Sequence, residues 1–336
     1  MAVAAGGLDK ALVQRRQRLS MVGERVQRVS VLVPLHNAEP YIAQTLNSIL
    51  QETEVPIEVV VVNDRSTDHS LDVVKRIRDE RVRVVEGPGR GIAACLNAGL
   101  AAVRGEVLMR CDADDLYPVG RIREQLAWLD AHSEYGAVCG SFSTMDESGR
   151  VVADLVTGDI GEEITEELNN SRTRTHLCSY AIRMDVLRGL DGFRPFFVTA
   201  EDIDFQLRLG EVARVMYLPR TFYLYRLHDA SITHTQGNAK RLFFENTARL
   251  FQEQRKTDGQ DDLQRGCPPA PPEAGVEAAG SVGSQIGGYL TGLAWREHAA
   301  GNKFKALGLG FRAVQRSPWD MRSWRSLFAL LLKPAK

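Results

Sequence analysis

Asp112-Ala113-Asp114-Asp115 packs three carboxylates into four residues. Charges that close repel unless a cation sits between them. On extended backbone Asp112 and Asp114 point to one side. Mg²⁺ or Mn²⁺ suits such oxygen ligands and is commonly shared with substrate phosphates. The cluster is equally readable as a turn, with Asp115 capping the next helix. Asp64 follows a run of four valines, where a carboxylate needs a partner. A bound base or ribose would supply one; so would an Asx-turn. Asp68 reads as the N-cap of the following helix. His36 suits stacking on a nucleobase. Gly87-Pro88-Gly89-Arg90-Gly91 is no dinucleotide fingerprint, because it follows the third strand rather than the first. Arg90 within it has the reach and charge for phosphate. Thr199-Ala200-Glu201-Asp202 has the spacing of a capping box, and a helix N-terminus would favour ionised Asp202.

Strands and helices must carry these groups. Val29–Pro34, Ile57–Asn63, Val82–Glu86 and Glu106–Asp112 read as strands, the first two apolar almost throughout. Between and after them, helical spacing runs over 40–51, 69–78, 92–103 and 119–132. This alternation predicts a parallel α/β sheet covered on both faces. Ligands of such sheets bind beyond the carboxyl ends of the strands, where the polar groups lie. After Gly136 the rhythm breaks. Ala137–Phe142 reads as a strand, Asp146–Arg150 as a hairpin turn before Val151–Val156, and 160–235 as short elements completing a mixed sheet. The chain divides into an arm (1–28), a catalytic domain (29–256, with halves 29–135 and 136–256), a Pro/Gly-rich linker (257–285) and a C-terminal helical segment (286–336). The spacing of Gly301, Ala306, Ala313 and Pro318 suggests a helical hairpin.

The chain has 336 residues, 44% hydrophobic and 25% charged, with a net charge of -1. That is ample for a core and offers no global field for nucleic acid. Five scattered cysteines without a CxxC pair argue against zinc or a disulfide framework and suit a reducing compartment. No stretch reads as a signal peptide or membrane span. The expected location is cytoplasmic, with a peripheral position at the inner face of a membrane as an extension. Residues 316–336 mix Trp, Phe and Leu with Arg and Lys. An amphipathic basic helix of that kind either rests on a membrane or packs on its neighbours or a second copy in a homo-oligomer.

The segments VSVLVPLHNAEPYIAQTLNSIL, VVVNDRSTD and GRGIAACLNAGLAAVRGEVLMRCDADDLYPVGRI strongly resemble the family 2 glycosyltransferases of the GT-A fold. Thr199-Ala200-Glu201-Asp202 resembles that family's Glu-Asp motif. Tyr225-Arg226-Leu227-His228 and Ser231-Ile232-Thr233 resemble its closing segment. The resemblance covers roughly 29–235 in consistent order. It implies a GT-A mixed sheet flanked by helices, here with a small C-terminal helical appendage. Pro34, His36, Asn37, Glu39, Asp64, Arg90, Asp112, Ala113 and Asp114 would bind the nucleotide-sugar. His36 stands where the family usually has Tyr. Asp112, Asp114, Asp115 and His228 would hold the Mn²⁺ or Mg²⁺, Asp202 would be the base and Glu201 its neighbour.

The implied activity is metal-dependent, inverting transfer of one sugar from a nucleotide-sugar, UDP-linked, to a hydroxyl on a saccharide or lipid-linked acceptor. Processive synthases of the family carry Gln-x-x-Arg-Trp and membrane helices, and this sequence has neither. Two rivals stay open. A nucleotidyltransferase would want a Gly-rich basic loop after the first strand, where Pro34-Leu35-His36-Asn37 has no glycine. A non-catalytic nucleotide-sugar-binding protein would lack a metal aspartate or a base.

Overall fold

The computed structural model describes residues 28–228, 238–272 and 282–334. All but the last residue of the expected arm, Ser231-Ile232-Thr233 and the middle of the expected linker lie outside them.

The first half winds as the apolar runs dictate. β1 (Val29–Leu35), β2 (Ile57–Asn63), β3 (Val82–Glu86) and β4 (Val107–Arg110) alternate with α1 (Ile42–Leu50), α2 (Ser70–Arg76) and α3 (Ile92–Leu100), and α4 (Arg121–Ala131) follows. β1 pairs in parallel with β2 on one side and β4 on the other. Both β1 and β2 are buried along their full length. Glu58 is the polar exception inside β2. Its carboxylate accepts from Ser30 Oγ at 2.6 Å and Arg83 Nε at 3.0 Å, so the buried charge is compensated. α3 lies close on this layer at Gly99, where a Cβ would overlap the Leu32 side chain.

The second half adds β5 (Ala137–Met145), β6 (Val151–Leu155), β7 (Glu162–Glu163), α5 (Thr165–Asn169), β8 (Ala181–Arg183), α6 (Met184–Arg188), α7 (Glu201–Val212) and β9 (Val215–Arg226). The sheet order among the described residues is β3-β2-β1-β4-β8-β5-β9-β7, with β6 paired to β5. β8 runs antiparallel to both β4 and β5, so the sheet is mixed, as expected. The turn at Asp146–Arg150 joins β5 and β6, with Gly149 at φ 84° supplying the left-handed residue. β9 is the element that the sequence pattern hid. Pairing of β5 with β9 slips between Gly140 and Phe142, where the chain at Pro219-Arg220 is skipped. Arg220 O then lies over Gly140, where a Cβ would come within 2.5 Å. Beyond this bulge, β9 carries Tyr223, Tyr225 and Arg226 to the end of β4.

α8 (Asn238–Asp258) overruns the expected linker boundary at 257. Beyond it Asp261 is fully buried between Arg194 Nη1 and Arg255 Nη1, both at 2.5 Å. The start of the expected linker is therefore docked on the catalytic domain by compensated charge. α9 (Val282–Ala299), α10 (Lys303–Arg316) and α11 (Met321–Leu332) form the helical appendage. Gly301, at φ 84°, turns the chain between α9 and α10, and Ala306 and Ala313 are buried, as the hairpin spacing requires. Leu290 and Ala313 join the main core. Arg312 Nη2 and Arg296 Nη1 donate to the carbonyls of Val152 and Val156, at 3.0 and 3.3 Å. No helix among the described residues is long and apolar enough to cross a membrane.

Candidate active site

A pocket of about 670 Å³ opens beyond the carboxyl ends of β1, β2 and β4. Pro34, His36, Asn37, Asp64, Asp112, Ala113 and Asp114 line it from the first half, and Glu201, Asp202 and His228 from the second. Three residues expected there are not among its lining. Glu39 ties one loop to another, its carboxylate accepting from His69 N and its N–H donating to Asp68. Arg90 is exposed, and Arg65 lines the pocket in its stead. Asp115 is 0% exposed, taking Tyr223 Oη–H at 2.5 Å and Arg226 N–H at 2.6 Å. Burial, then the carboxylates of Asp114 and Asp112, pushes its pKa well above the usual range. A carboxyl so placed fastens β9 to the acidic loop and is no cation ligand.

The loop itself is a turn, with Asp115 N–H donating to Asp112 O, rather than the extended backbone expected. Asp112 therefore meets Arg110, which lies two residues before it at the end of β4. Arg110 Nε and Nη2 reach its two oxygens at 2.7 and 3.3 Å. Nη1 of the same guanidinium reaches Glu201 Oε1 at 3.2 Å, across the two halves of the domain. Burial opposes the charge on Arg110, which is 9% exposed, but Asp112 and Glu201 outweigh it and raise its pKa. Burial lifts Glu201 to about 7, against the pull of Arg110.

Asp114 has a different partner, His228 Nε2 at 2.8 Å. Among the described residues no group of three or more His, Cys, Asp and Glu side chains could hold a metal ion. Two can: an Asp114–His228 pair facing the pocket fits a cation that takes its remaining ligands from a diphosphate and water. Asp112 also lines the pocket, with one Arg110 N–H on each of its oxygens.

Asp64 Oδ1 accepts Gly89 N–H at 2.6 Å, so the glycine loop closes over the end of β2. His36 Nδ1 lies 2.9 Å from Asp64 O. Asn37 spends its side-chain oxygen on Thr67 N–H at 2.8 Å. Asn37, Arg65 and Ala200 all have positive φ, at 51°, 59° and 60°. Left-handed non-glycine backbone is uncommon and gathers where a site over-determines the chain. Ala200 also replaces the expected capping box. It precedes α7 in the left-handed region, and no side chain caps the helix.

Six carboxylates line the pocket: Asp64, Asp112, Asp114, Glu201, Asp202 and Glu245. Glu245 pairs with Arg241 at 2.8 Å. Asp202 alone has no hydrogen bond or ion pair among the described residues.

Sequence reasoning missed His176, Arg241 and Tyr289, all pocket-lining. His176 stacks on Tyr223 with ring centres 5.5 Å apart and planes at 8°. Its Nδ1 accepts Cys178 N–H at 3.2 Å, which leaves the neutral tautomer with its proton on Nε2. Burial holds its pKa below the usual value, although Asp202 opposes this. A lone His between Thr and Leu gave no spacing to detect. An Arg ending a buried strand, as Arg110 does, was a detectable signal, because such a charge demands a partner.

Residues 30–188 match the family model described as Glycosyl transferase family 2. Over those residues the chain is similar to that family. A chondroitin synthase of Pasteurella multocida (strain Pm70) is 27% identical over 226 residues, 65% of this chain and 23% of that protein. The putative glycosyltransferase EpsH of Bacillus subtilis (strain 168) is 27% identical over 246 residues, covering 68% of this chain and 71% of that one. The chain spans less than a quarter of the chondroitin synthase and of a Pasteurella multocida hyaluronan synthase, 23% and 21%. Among solved structures, S. aureus TarS 1-349 in complex with UDP-GlcNAc superposes with a TM-score of 0.58 at 19% identity, covering 90% of this chain and 84% of that chain. A mannosyltransferase, PcManGT from Pyrobaculum calidifontis, in complex with GDP-Man and Mn²⁺, gives 0.50 at 21% identity, covering 92% and 86%. The mixed sheet with flanking helices is the GT-A architecture of these glycosyltransferases.

Proposed function

We propose that the protein is a divalent-cation-dependent, inverting glycosyltransferase that moves one sugar from a nucleotide-sugar to a hydroxyl acceptor. The observation that carries this reading is the pairing of the pocket carboxylates. Arg110 neutralises Asp112 and Glu201, His228 meets Asp114, Gly89 N–H meets Asp64 and Arg241 meets Glu245. Asp202 is left as the carboxylate with capacity to take a proton.

In this reading the nucleoside lies against Asp64, His36 and the glycine loop, with uracil as the proposed base. The diphosphate lies toward Asp114 and His228. A divalent cation held there supplies positive charge to the departing nucleoside diphosphate. As the acceptor oxygen bonds to C1 of the sugar, the C1–O bond to the diphosphate breaks and Asp202 takes the acceptor proton. Backside attack in a single displacement inverts C1. The UDP-GlcNAc bound by TarS, the GDP-Man bound by PcManGT and the similarity to chondroitin and hyaluronan synthases of Pasteurella multocida support a nucleotide-sugar donor and a saccharide product.

The test is Asp114→Ala in a thermal-shift screen of UDP-N-acetylglucosamine, UDP-glucose and GDP-mannose with and without Mn²⁺. Wild type should gain Tm with a donor only when Mn²⁺ is present, and the variant should lose that gain. Equal shifts in both proteins remove Asp114 from the cation. No shift of wild type with any nucleotide defeats the donor reading.

His176 has a role to play in the same pocket. In this reading its Nε2–H donates to a sugar hydroxyl in the pocket. His176→Asn keeps an acceptor for Cys178 N–H but withdraws the donor, so turnover should fall roughly tenfold, one hydrogen bond's worth, and Tm should fall only by the lost stacking on Tyr223. His176→Gln reaches the Nε2 position but loses the cap, so it should retain more turnover at a lower Tm. The opposite ranking leaves His176 as a cap alone.

A further inference from the structure

The appendage resolves the two readings of the basic C-terminal helix by giving α11 two apolar faces. One packs inward. Ser323 and Leu330 are buried, Ser326 Oγ accepts Trp295 Nε1–H at 2.6 Å, and Leu327 and Leu330 crowd Gly310 of α10. The other faces out. Met321, Phe328, Leu331 and Leu332 fall at i, i+7, i+10 and i+11, which is one stripe of a helix, and all four are exposed. Trp319 in the preceding turn and Phe304 at the start of α10 are each 94% exposed. Single exposed apolar residues need no explanation, but a stripe flanked by aromatic tips does.

The charge around this stripe is one-sided. From Lys303 to Lys333 the sequence holds seven Lys and Arg residues and one acid, Asp320. Asp320 is spent on the start of α11, accepting from Arg322 N–H at 3.0 Å and Ser323 Oγ at 2.9 Å. Lys305 is met by Glu297, Arg312 by Val152 O and Arg316 loosely by Asp146. Arg322 and Arg325 flank the stripe; Asp320 attracts Arg322 without a direct side-chain ion pair among the described residues.

We infer that this face of α10 and α11 docks on an anionic lipid bilayer. A 12-residue helix is about 18 Å long, too short to span the hydrocarbon core, so α11 lies in the interface. Its apolar stripe enters the headgroup boundary, Trp319 sits at that level, and Arg322 and Arg325 meet lipid phosphates. A second copy is disfavoured as the occupant, because it would bring the same excess of cations against itself. The inference stands whether or not the pocket transfers sugar. It also has a geometric consequence, since α9 of the same helical unit carries Tyr289 into the pocket wall.

The experiment is co-sedimentation of the full chain with vesicles of phosphatidylcholine alone or mixed with phosphatidylglycerol. Compared with it are Trp319→Ser/Phe328→Ser and Arg322→Glu/Arg325→Glu, each first checked for an unchanged Tm. The wild type should sediment with the anionic vesicles at least tenfold more strongly than with the neutral ones, less so at high salt. Both double variants should lose at least tenfold. No sedimentation of wild type, or wild-type sedimentation by the Trp319→Ser/Phe328→Ser variant, overturns the inference. A concentration-dependent dimer in size-exclusion that this variant abolishes would assign the face to a second copy instead.

Discussion

Asp202→Asn should abolish sugar transfer and leave donor binding intact. Loss of a positioned general base costs roughly 10²- to 10⁴-fold in rate. Asparagine keeps the size of the side chain, and what Asp202 gives up among the described residues is its longer-range attraction to Arg241 and His176. Its removal from the first turn of α7 loses only the small benefit of an anion at a helix N-terminus, under about 1 kcal/mol. Tm should therefore barely move. Release of nucleoside diphosphate measures the turnover, and calorimetric titration of the donor with Mn²⁺ measures the binding. Transfer by the variant at the wild-type rate would show that the proton leaves by another route. A parallel loss of donor affinity would place Asp202 on the donor rather than the acceptor.

Arg110→Met should be the most damaging change in the pocket for stability. Arg110 is 9% exposed and bonds Asp112 through two nitrogens and Glu201 through a third. Methionine fills part of the volume but leaves two carboxylates without their cation. Breaking a buried ionic group in this way typically costs about 3–5 kcal/mol. The pH dependence carries a definite sign. Glu201 already stands near 7, raised by burial against the pull of Arg110, and without Arg110 it rises further above its unfolded value. The folded variant then binds more protons than the unfolded chain, so its stability falls as pH rises. The Tm deficit against wild type should be larger at about pH 8 than at about pH 5. Adding Glu201→Gln to Arg110→Met should recover part of it, because one of the stranded charges is gone. A deficit equal at both pH values would show that packing, not charge, is what Arg110 supplies.

The parallel half of the fold was legible because burial on both faces forces continuous apolar strands, as in Val29–Leu35 and Ile57–Asn63. β9 was not. Pro219 and Arg220 interrupt it, and the bulge there breaks the alternation of its buried tyrosines, Tyr217, Tyr223 and Tyr225. In the site, Asp64, Asp112, Asp114 and Asp202, singled out from the sequence, all line one pocket. Their partners did not show, since Arg110 and Glu201 lie 91 residues apart and long-range contacts such as the β4–β8 pairing bring those segments together. The same limit explains Asp115. Adjacent positions suggested a shared cation, but a turn and the arrival of Tyr223 from β9 send it inward. Ala200 defeated the capping-box reading because spacing does not report φ.

Tyr289 lies in α9, yet it walls a pocket whose carboxylates all come from residues 64–245. During synthesis the chain emerges in that order. A nascent chain extending to residue 272 already holds every acidic and cationic side chain of the pocket, but one wall is missing until α9 has cleared the ribosome and docked on β6. Completion of the pocket is thereby tied to a helix made after all of its charged residues, so a chain stalled before α9 carries those charges without their enclosure.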